Sequence, residues 1–500
     1  MLAIVSGRRC LILGAVGVVI ASVTTPTNAV QAASSVPFAT GSNSRLSVSA
    51  IDGAPGDNTS TRPTLSEDGH WATFQSTARN LVVEDQRVRG SDVYYANTDD
   101  PAHTMRRVSV DGTTGGDADG DSTFSDVSGD GHYVVFTSSA TDIVRGRKGF
   151  NAQIYLRDMW AGVATVISVA PSGALGTGGS HRPTISADGR FVTWNSLATN
   201  LVGAGTAGPN QIFLRDLTTS QTILLSRGAG GVNSDGENLR PQISSNGVSI
   251  TWQSKASNLV AAGGASPYWN VYQIGNPFLS PDATPSRVSN AGPDAAAATD
   301  GASVRPSTSG NGRYVVFQSK ATNLVTGDTN GLEDLFVWDA TTGAVVRPVR
   351  AFDGAELTGS TTRGSMDYAG GLIAFVSTSG RVVRGDRNHR PDVFALLWND
   401  AVPKSKRITV ASDGGEASCA AATSADDPYA SRSGEADDDA TADDGAVTMA
   451  ARPTRPDIST RPYLSSDGRR VVFVSGFCNL VTTPPNPGAI NDVYLRVSGP

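Results

Sequence analysis

A seven-fold repeat constrains the fold of this chain more than any other feature. A turn glycine marks each copy, an aromatic residue follows five positions later, and a serine follows seven positions later. The glycines are Gly69, Gly131, Gly189, Gly247, Gly312, Gly370 and Gly468. The aromatics are Phe74, Phe136, Trp194, Trp252, Phe317, Phe375 and Phe473. The serines are Ser76, Ser138, Ser196, Ser254, Ser319, Ser377 and Ser475. We interpret these positions as core packing and turn bonding in units that bury their apolar faces only against neighbouring units.

Each repeat contains four strand signals and no convincing helix. In the third copy, residues 184–186 and 191–195 are β-favouring runs on either side of Asp188-Gly189. Such a pair is a strong hairpin signal because glycine adopts a positive φ at no steric cost. Four short strands repeated seven times predict an all-β protein, a seven-bladed β-propeller with four-stranded antiparallel blades.

The two ends of the repeat array are offset by one strand. The first strand signal, residues 45–49, matches the fourth strands of later copies, whereas the last copy ends after its third strand. The N-terminal strand is therefore expected to complete the last blade and close the ring, which removes an open sheet edge. The loops that lead into the first strands, and those between second and third strands, are long and share one side, which we call the long-loop face. Binding residues concentrate on such loops.

Two segments are expected to lie outside the repeats. Residues 1–32 have a basic start at Arg8-Arg9, an apolar run too short to span a bilayer, and small residues before a cleavage site near Ala32. They predict a signal peptide and an exported protein that does not span the membrane. Residues 33–44 are interpreted as a linker and 45–498 as the propeller. Residues 411–458 are an insertion in which 413–444 contain ten acidic residues and one arginine, so we predict disorder there.

The repeat resembles the WD-like repeat of TolB-type β-propellers. The third copy carries that pattern on six residues, which are Pro183, Ser186, Asp188, Gly189, Val192 and Trp194. The resemblance covers residues 45–497 and implies an exported propeller that binds a partner. Two copies depart from the pattern. The sixth lacks the serine and aspartate before its turn glycine, and the second has Phe124-Ser125 in place of Arg-Pro.

An arginine near the start of the first strand is the sharpest candidate for function. It occurs in every copy but the second, as Arg62, Arg182, Arg240, Arg305, Arg363 and Arg461. These side chains, with His181 beside one of them, are predicted to lie at the channel mouth and bind an anionic ligand. Alternatively, each guanidinium pairs with an acidic or carbonyl group of a neighbouring blade. Suitable aspartates recur in the preceding loops, as Asp52, Asp111, Asp353 and Asp413. A third possibility is that the acidic insertion covers the ring. Two arginines about 10 Å apart repel by only about 0.4 kcal/mol in water, so the ring itself does not require a ligand.

Two smaller sets of residues carry further predictions. Asp328, Asn330 and Asp334 place oxygen ligands around a glycine, as Ca²⁺ sites do, although turn-forming residues explain the same pattern. Cys419 and Cys478 are the two cysteines left after export and are predicted to form a disulfide, with free thiols as the alternative.

Taken together, these residues favour a non-enzymatic, monomeric binding module. The predicted partner is a protein or an envelope or extracellular glycan, held on the long-loop face, with no cofactor required. The alternative is a propeller-type polysaccharide lyase or hydrolase with its site at the channel mouth. The chain contains only five histidines and no paired-carboxylate motif, which argues against an enzyme. A net charge of −7 without a basic stripe argues against nucleic acid.

Overall fold

The computed structural model describes residues 38, 40–83, 90–146, 149, 151–203, 205–206, 208–260, 266–291, 299–388, 390–400, 402–418, 459–482 and 490–499. Within them, 28 strands form seven separate four-stranded antiparallel sheets. The predicted signal peptide and most of the predicted acidic insertion lie outside these residues. In the described part of the chain, no helix has the length and apolar character needed to cross a membrane.

The seven sheets are the blades of the predicted propeller, numbered here in chain order. The first strands are Ser60–Leu65, Ser122–Val127, Ser180–Ile185, Asn238–Ile243, Ser303–Thr308, Thr361–Met366 and Ser459–Leu464. The second strands are Trp71–Ser76, Tyr133–Ser138, Phe191–Ser196, Ser249–Ser254, Tyr314–Ser319, Leu372–Ser377 and Arg470–Ser475. The third strands are Asp92–Asn97, Gln153–Asp158, Gln211–Asp216, Asn270–Gly275, Asp334–Asp339, Asp392–Leu397 and Asp492–Ser498. The fourth strands are Arg106–Arg107, Val163–Val166, Gln221–Leu224, Ser286–Arg287, Val345–Val346, Lys404–Arg407 and, for blade seven, Gly41–Arg45. A one-turn α-helix, Pro101–Thr104, and a 3₁₀ turn, Ala229–Gly231, complete the described elements.

The ring is closed as the offset of the chain ends predicts. Gly41–Arg45 pairs antiparallel with Asp492–Ser498, with Gly41 opposite Ser498 and Arg45 opposite Tyr494. First strands of consecutive blades contact one another, and the first strand of blade one contacts that of blade seven. The first strands are therefore innermost and surround a central channel.

The strand that completes blade seven is shifted toward the N-terminus relative to its predicted position. The N-terminal strand spans Gly41–Arg45 instead of residues 45–49, so it begins within the predicted linker. A side chain ends the backbone ladder at this point. The hydroxyl of Ser47 accepts the N–H of Val493 at 3.1 Å, and Ser109 accepts the N–H of Val93 in the same way.

The repeated aromatics and serines have the structural roles predicted for them. In every blade the second-strand aromatic stacks on a third-strand aromatic, as Trp194 does on Phe213 at 6.0 Å between ring centroids. Trp194 is fully buried and packs with Val192 and with Val135 of the preceding blade, so the cores lie between blades. The hydroxyl of Ser196 bonds that of Ser180 at 2.9 Å.

The departure in the sixth copy has a simple physical explanation. In the other copies a serine hydroxyl accepts the N–H that follows the turn, as Ser186 does from Phe191 at 2.9 Å. In blade six Asp367 stands at the position of this serine, and its carboxylate accepts the N–H of Leu372 at 3.0 Å. The turn is thus closed by a different side chain with the same bonding role.

Candidate functional site

The six sequence-predicted arginines line one central cavity. Each is the third residue of a first strand, and blade two contributes Phe124 at the equivalent position. All seven side chains are half-buried, and the cavity has a volume of about 220 Å³. We call these seven residues the ring layer. The structure therefore brings the arginines together at one site, and whether that site binds a ligand remains a prediction.

All seven ring-layer residues have a left-handed backbone conformation. Their φ values are +53° for Arg62, +51° for Phe124, +55° for Arg182, +56° for Arg240, +53° for Arg305, and +55° for Arg363 and Arg461. A register shift accompanies them in every blade, between His181 and Thr184 in blade three for example. This is a β-bulge, which bends the strand and redirects a side chain. Because a side chain in this region costs about 1–3 kcal/mol, glycine would be the relaxed choice.

A side chain of the preceding blade holds the bulge in place. The N–H of Arg305 donates to the amide oxygen of Gln253 at 2.9 Å, and the N–H of Arg363 donates to Gln318 at 3.0 Å. Thr137 accepts the N–H of Arg182 at 3.2 Å in the same manner. Each acceptor lies in a second strand, one residue before the repeated serine that ends it. The bulge in one blade is therefore bonded to the second strand of the preceding blade.

Phe124 separates two of the ring arginines. The guanidinium of Arg62 lies 4.1 Å from the centroid of the Phe124 ring, and that of Arg182 lies 4.2 Å from the same centroid. Such cation–π contacts contribute about 0.5–2 kcal/mol each. The one blade without an arginine thus positions the two arginines beside it.

A second set of side chains lines the same cavity two residues further along each first strand. We call this set the hydroxyl layer, and its members are Thr64, Asp126, Thr184, Gln242, Ser307, Ser365 and Tyr463. Asp126 is the one acidic residue among the described residues that line the cavity. It is 6% exposed, and its carboxylate accepts the N–H of Ile185 at 3.0 Å. Burial raises the pKa of Asp126 to about 7, against hydrogen bonds from Ile185 and Val127 that lower it.

Asp126 was not identified by sequence reasoning. The sequence does contain a signal for it. At the strand position of Asp126, the six other blades carry a neutral hydroxyl, phenol or amide, so the carboxylate is an exception. Asp126 also lines a smaller cavity of about 50 Å³, together with Glu67 and Tyr463 among other residues. Burial first, and the charge of Asp126 second, raise the pKa of Tyr463.

His181 does not line the central cavity with the arginines. It is half-buried, and it lies opposite Asn195 in the pairing of the first and second strands. His181 precedes the bulge at Arg182. Its place at the channel mouth stays a prediction.

The loop aspartates considered as partners for the ring arginines accept hydrogen bonds from backbone groups of their own loops. Asp52 accepts the N–H of Ala54 at 3.0 Å, and Asp413 accepts that of Gly415 at 2.8 Å. Asp353 accepts the N–H of Ala355 and pairs with Arg381. Asp111 accepts the N–H groups of the two threonines that follow its glycine. These carboxylates stabilise their own loops.

Two of the three residues predicted as calcium ligands bind an arginine, and the third bonds one of those two. Arg347 donates to Asp328 at 2.8 Å and to Asp334 at 3.0 Å, and Asn330 donates to Asp334 at 2.9 Å. Arg347 also donates to Glu356, whose pKa is lowered to about 2 by the hydrogen bond from Thr329 and then by Arg347. In the described residues, no group of three or more histidine, cysteine or acidic side chains is placed to hold a metal ion. Calcium binding here stays a prediction, and it would compete with the guanidinium.

Cys478 takes part in a disulfide. Cys419 lies outside the described residues, but its neighbour Ser418 accepts the N–H of Cys478 at 3.2 Å. The predicted pairing of Cys419 with Cys478 is therefore supported by the position of Ser418 and remains to be tested.

The fold and the cavity define a seven-bladed β-propeller with a cationic central cavity. No family model matches the chain, and no curated protein matches it. An oligogalacturonate lyase in complex with manganese is similar in structure, with a TM-score of 0.50, 10% identity, and coverage of 93% of this chain and 95% of that chain. TolB from Acinetobacter baumannii gives a TM-score of 0.35 with 15% identity over 73% of this chain and 67% of that chain. At such identities the likeness concerns the fold alone.

Proposed function

We propose that this chain is an exported, TolB-like binding module that captures an anionic group of a glycan or protein in its central cavity. The observation that carries this proposal is the left-handed backbone at all seven ring-layer positions. Glycine would relieve the strain, and the chain contains 55 glycines, yet six of the seven positions are arginine. A non-glycine residue in a strained backbone conformation is typical of a functional position.

The electrostatics of the cavity favour an anion. Six guanidinium groups and one carboxylate line it, and the arginines are half-buried. Two like charges about 10 Å apart repel by roughly 1.7 kcal/mol at an effective dielectric constant of 20, compared with about 0.4 kcal/mol in bulk water. An anion among the guanidiniums offsets this repulsion and accepts their hydrogen bonds, for which planar carboxylate and phosphate groups have matching geometry.

Three substitutions in the ring test this proposal. Arg182, Arg240 and Arg305 are replaced together by alanine, and binding of galacturonate is measured by isothermal titration calorimetry, with galactose as the neutral counterpart. The wild-type chain is expected to bind the acid and not the neutral sugar, and the triple variant is expected to lose at least about tenfold in affinity, from charge-assisted bonds of about 1.5–3 kcal/mol each.

The matched control removes the same charge outside the cavity. Arg190, Arg313 and Arg469 lie beside the short turns between first and second strands, and the first two pair with Asp216 and Asp339. Their triple alanine variant is expected to bind galacturonate as the wild type does. Equal loss in both triple variants, or a wild-type chain that binds no acid, argues against the proposal.

A second candidate function is that of a propeller-type polysaccharide lyase or hydrolase. One observation favours it, namely that Asp126, with a pKa of about 7, shares the cavity with the arginines and could exchange a proton near neutral pH. The similar solved structure is that of an oligogalacturonate lyase, whereas His181 does not line the cavity. Incubation with oligogalacturonates is expected to leave the substrate intact under the binding proposal. Unsaturated or shortened products that disappear in Asp126→Asn support the enzyme.

Export is part of the proposal and has its own test. Residues 1–32 have the features of a signal peptide, and N-terminal sequencing of the exported protein is expected to begin immediately after Ala32. An intact N-terminus on the protein recovered from cells contradicts this.

A further inference from the structure

The central cavity has two chemically different layers. The ring layer carries guanidinium groups. In the hydroxyl layer, blades one, three, five and six each contribute a serine or threonine, and the other three blades contribute an amide, a phenol and one carboxylate. Two residues along a strand rise by about 6.6 Å, and the bulge between the layers shortens this slightly. A ligand that contacts both layers therefore needs an acidic group and hydrogen-bonding groups about 6 Å apart.

The side chains of the hydroxyl layer suit a partner with several hydroxyl groups. The hydroxyl oxygen of Thr184 accepts the N–H of Ile243 at 3.2 Å, and that of Ser365 accepts the N–H of Leu464 at 3.2 Å. These bonds use the oxygen and not the hydroxyl hydrogen, which can donate to a ligand oxygen. Neutral hydroxyls and amides both donate and accept, as sugar hydroxyls do.

Asp126 differs from the rest of this layer because it is a carboxylate. One of its oxygens accepts the N–H of Ile185 from the neighbouring blade, which fixes the orientation of the group in the cavity. An ionised carboxylate accepts hydrogen bonds and donates none, so its strongest neutral partners are hydroxyl donors. A second acid group would be repelled at this position.

The size of the cavity limits the ligand further. A volume of about 220 Å³ is several times the roughly 30 Å³ that one water occupies, whereas pockets for drug-sized ligands have about 300–1,000 Å³. The cavity therefore has room for one six-membered ring with its substituents.

We infer that the cavity takes one acidic sugar unit, with its carboxylate at the ring layer and its hydroxyls at the hydroxyl layer, where Asp126 is the acceptor that determines specificity. This inference rests on the proposed function, because it needs the arginines to hold the acid group. It selects a glycan over the acidic side chains of a protein, which carry no hydroxyls.

A pair of acids with the same ring size tests the inference. Galacturonate and cyclohexanecarboxylate each carry one carboxylate on a six-membered ring, and only the first carries hydroxyls. Titration calorimetry is expected to show that the wild-type chain binds galacturonate at least about tenfold more tightly, because a site that bonds hydroxyls discriminates against a ligand without them. Asp126→Asn keeps the shape of the side chain and an oxygen for the Ile185 N–H. At pH 8, above the pKa of about 7, Asp126 is charged, and the variant is expected to reduce this preference about tenfold, the difference between a charged and a neutral acceptor.

Two further variants complete the design. Ser307→Ala removes one hydroxyl of the same layer without a change in charge, and it is expected to reduce the preference several-fold. Asp235→Asn makes the Asp-to-Asn change in an exposed loop outside the cavity, where Asp235 bonds Ser257, and it is expected to leave the preference unchanged. Binding of cyclohexanecarboxylate shows in each variant that the ring layer is intact.

The possible failures are distinguishable. If neither acid binds the wild-type chain, the proposed function is wrong. If both acids bind equally, or if Asp126→Asn keeps the full preference, the ring layer binds anions but the assignment of an acidic sugar and of Asp126 is overturned.

Discussion

The left-handed ring layer predicts an unusual order of stabilities for alanine and glycine variants. Arg182, Arg305 and Arg461 lie in non-adjacent blades and have φ values of +53° to +55°. Replacing all three by alanine removes the side chains and keeps the strained backbone. Replacing all three by glycine removes the side chains and the strain together. The glycine variant is therefore expected to be the more stable of the two.

The size of the difference follows from two opposing terms. The left-handed conformation costs an L-residue about 1–2 kcal/mol, whereas glycine loses about 0.5–1 kcal/mol more than alanine in conformational entropy on folding. The net gain is about 0.75 kcal/mol at each position. The Arg305 N–H bond to Gln253 involves only the backbone of the ring residue, so it is the same in both variants. Since the three sites are separated by whole blades, their contributions should add to about 2 kcal/mol.

Thermal and chemical denaturation without ligand measure this difference. The control variants carry the same pair of substitutions at the preceding strand residues, His181, Val304 and Thr460, which are not among the residues with a positive φ. There alanine is expected to be more stable than glycine, as in any ordinary strand. If alanine is also the more stable at the arginine positions, the ring layer is not strained, and the main support for a functional role of the arginines is lost.

Three further predictions concern other buried charges and the disulfide. Because the pKa of Asp126 is raised to about 7 in the folded state, the folded chain holds a proton that the unfolded chain releases above about pH 4. Stability is therefore expected to fall as the pH rises from about 4 to 7. Asp126→Asn is expected to stabilise the protein by up to about 4 kcal/mol at pH 8 and hardly at all at pH 4, and a stabilisation that is the same at both pH values contradicts the assignment. Arg347→Ala leaves Asp328 and its neighbouring acids without their cation, and is expected to destabilise the protein by about 3–5 kcal/mol, with partial recovery in calcium chloride measured by thermal denaturation. Peptide mapping without reductant is expected to find Cys419 linked to Cys478, and Cys419→Ser to cost about 4 kcal/mol; separate, unlinked peptides would show that the pairing is wrong.

Most of the fold was predictable from the sequence because each blade repeats the same local signals. The Asp188-Gly189 turn, the stacking aromatic Trp194 and the serine two residues after it recur together, and each is a short-range feature. Ring closure was also predictable, because one missing strand at the C-terminal end matched one extra strand at the N-terminal end. The bounds of the N-terminal strand were not, since the hydroxyl of Ser47 takes over the ladder bond to Val493 and ends the strand at Arg45.

The candidate site was predicted only in part. Recurrence of an arginine at one strand position was enough to place six arginines around the channel. The bulge was not foreseen, because non-glycine residues seldom adopt a positive φ and the stabilising bond comes from another blade, as from Gln253 to Arg305. Asp126 was missed although its strand position carries a neutral polar side chain in the other blades, and its raised pKa comes from burial, which the sequence does not show. His181 precedes the bulge and is not among the residues that line the cavity, so its role at the channel mouth stays a prediction.

The most direct test of the central claim is a crystal structure of the wild-type protein grown with galacturonate. We expect the sugar in the central cavity, with its carboxylate hydrogen-bonded to guanidiniums of the ring layer and a hydroxyl within hydrogen-bond distance of Asp126. A cavity filled only by water at saturating galacturonate, with every ring guanidinium bonded to protein acceptors, would contradict it.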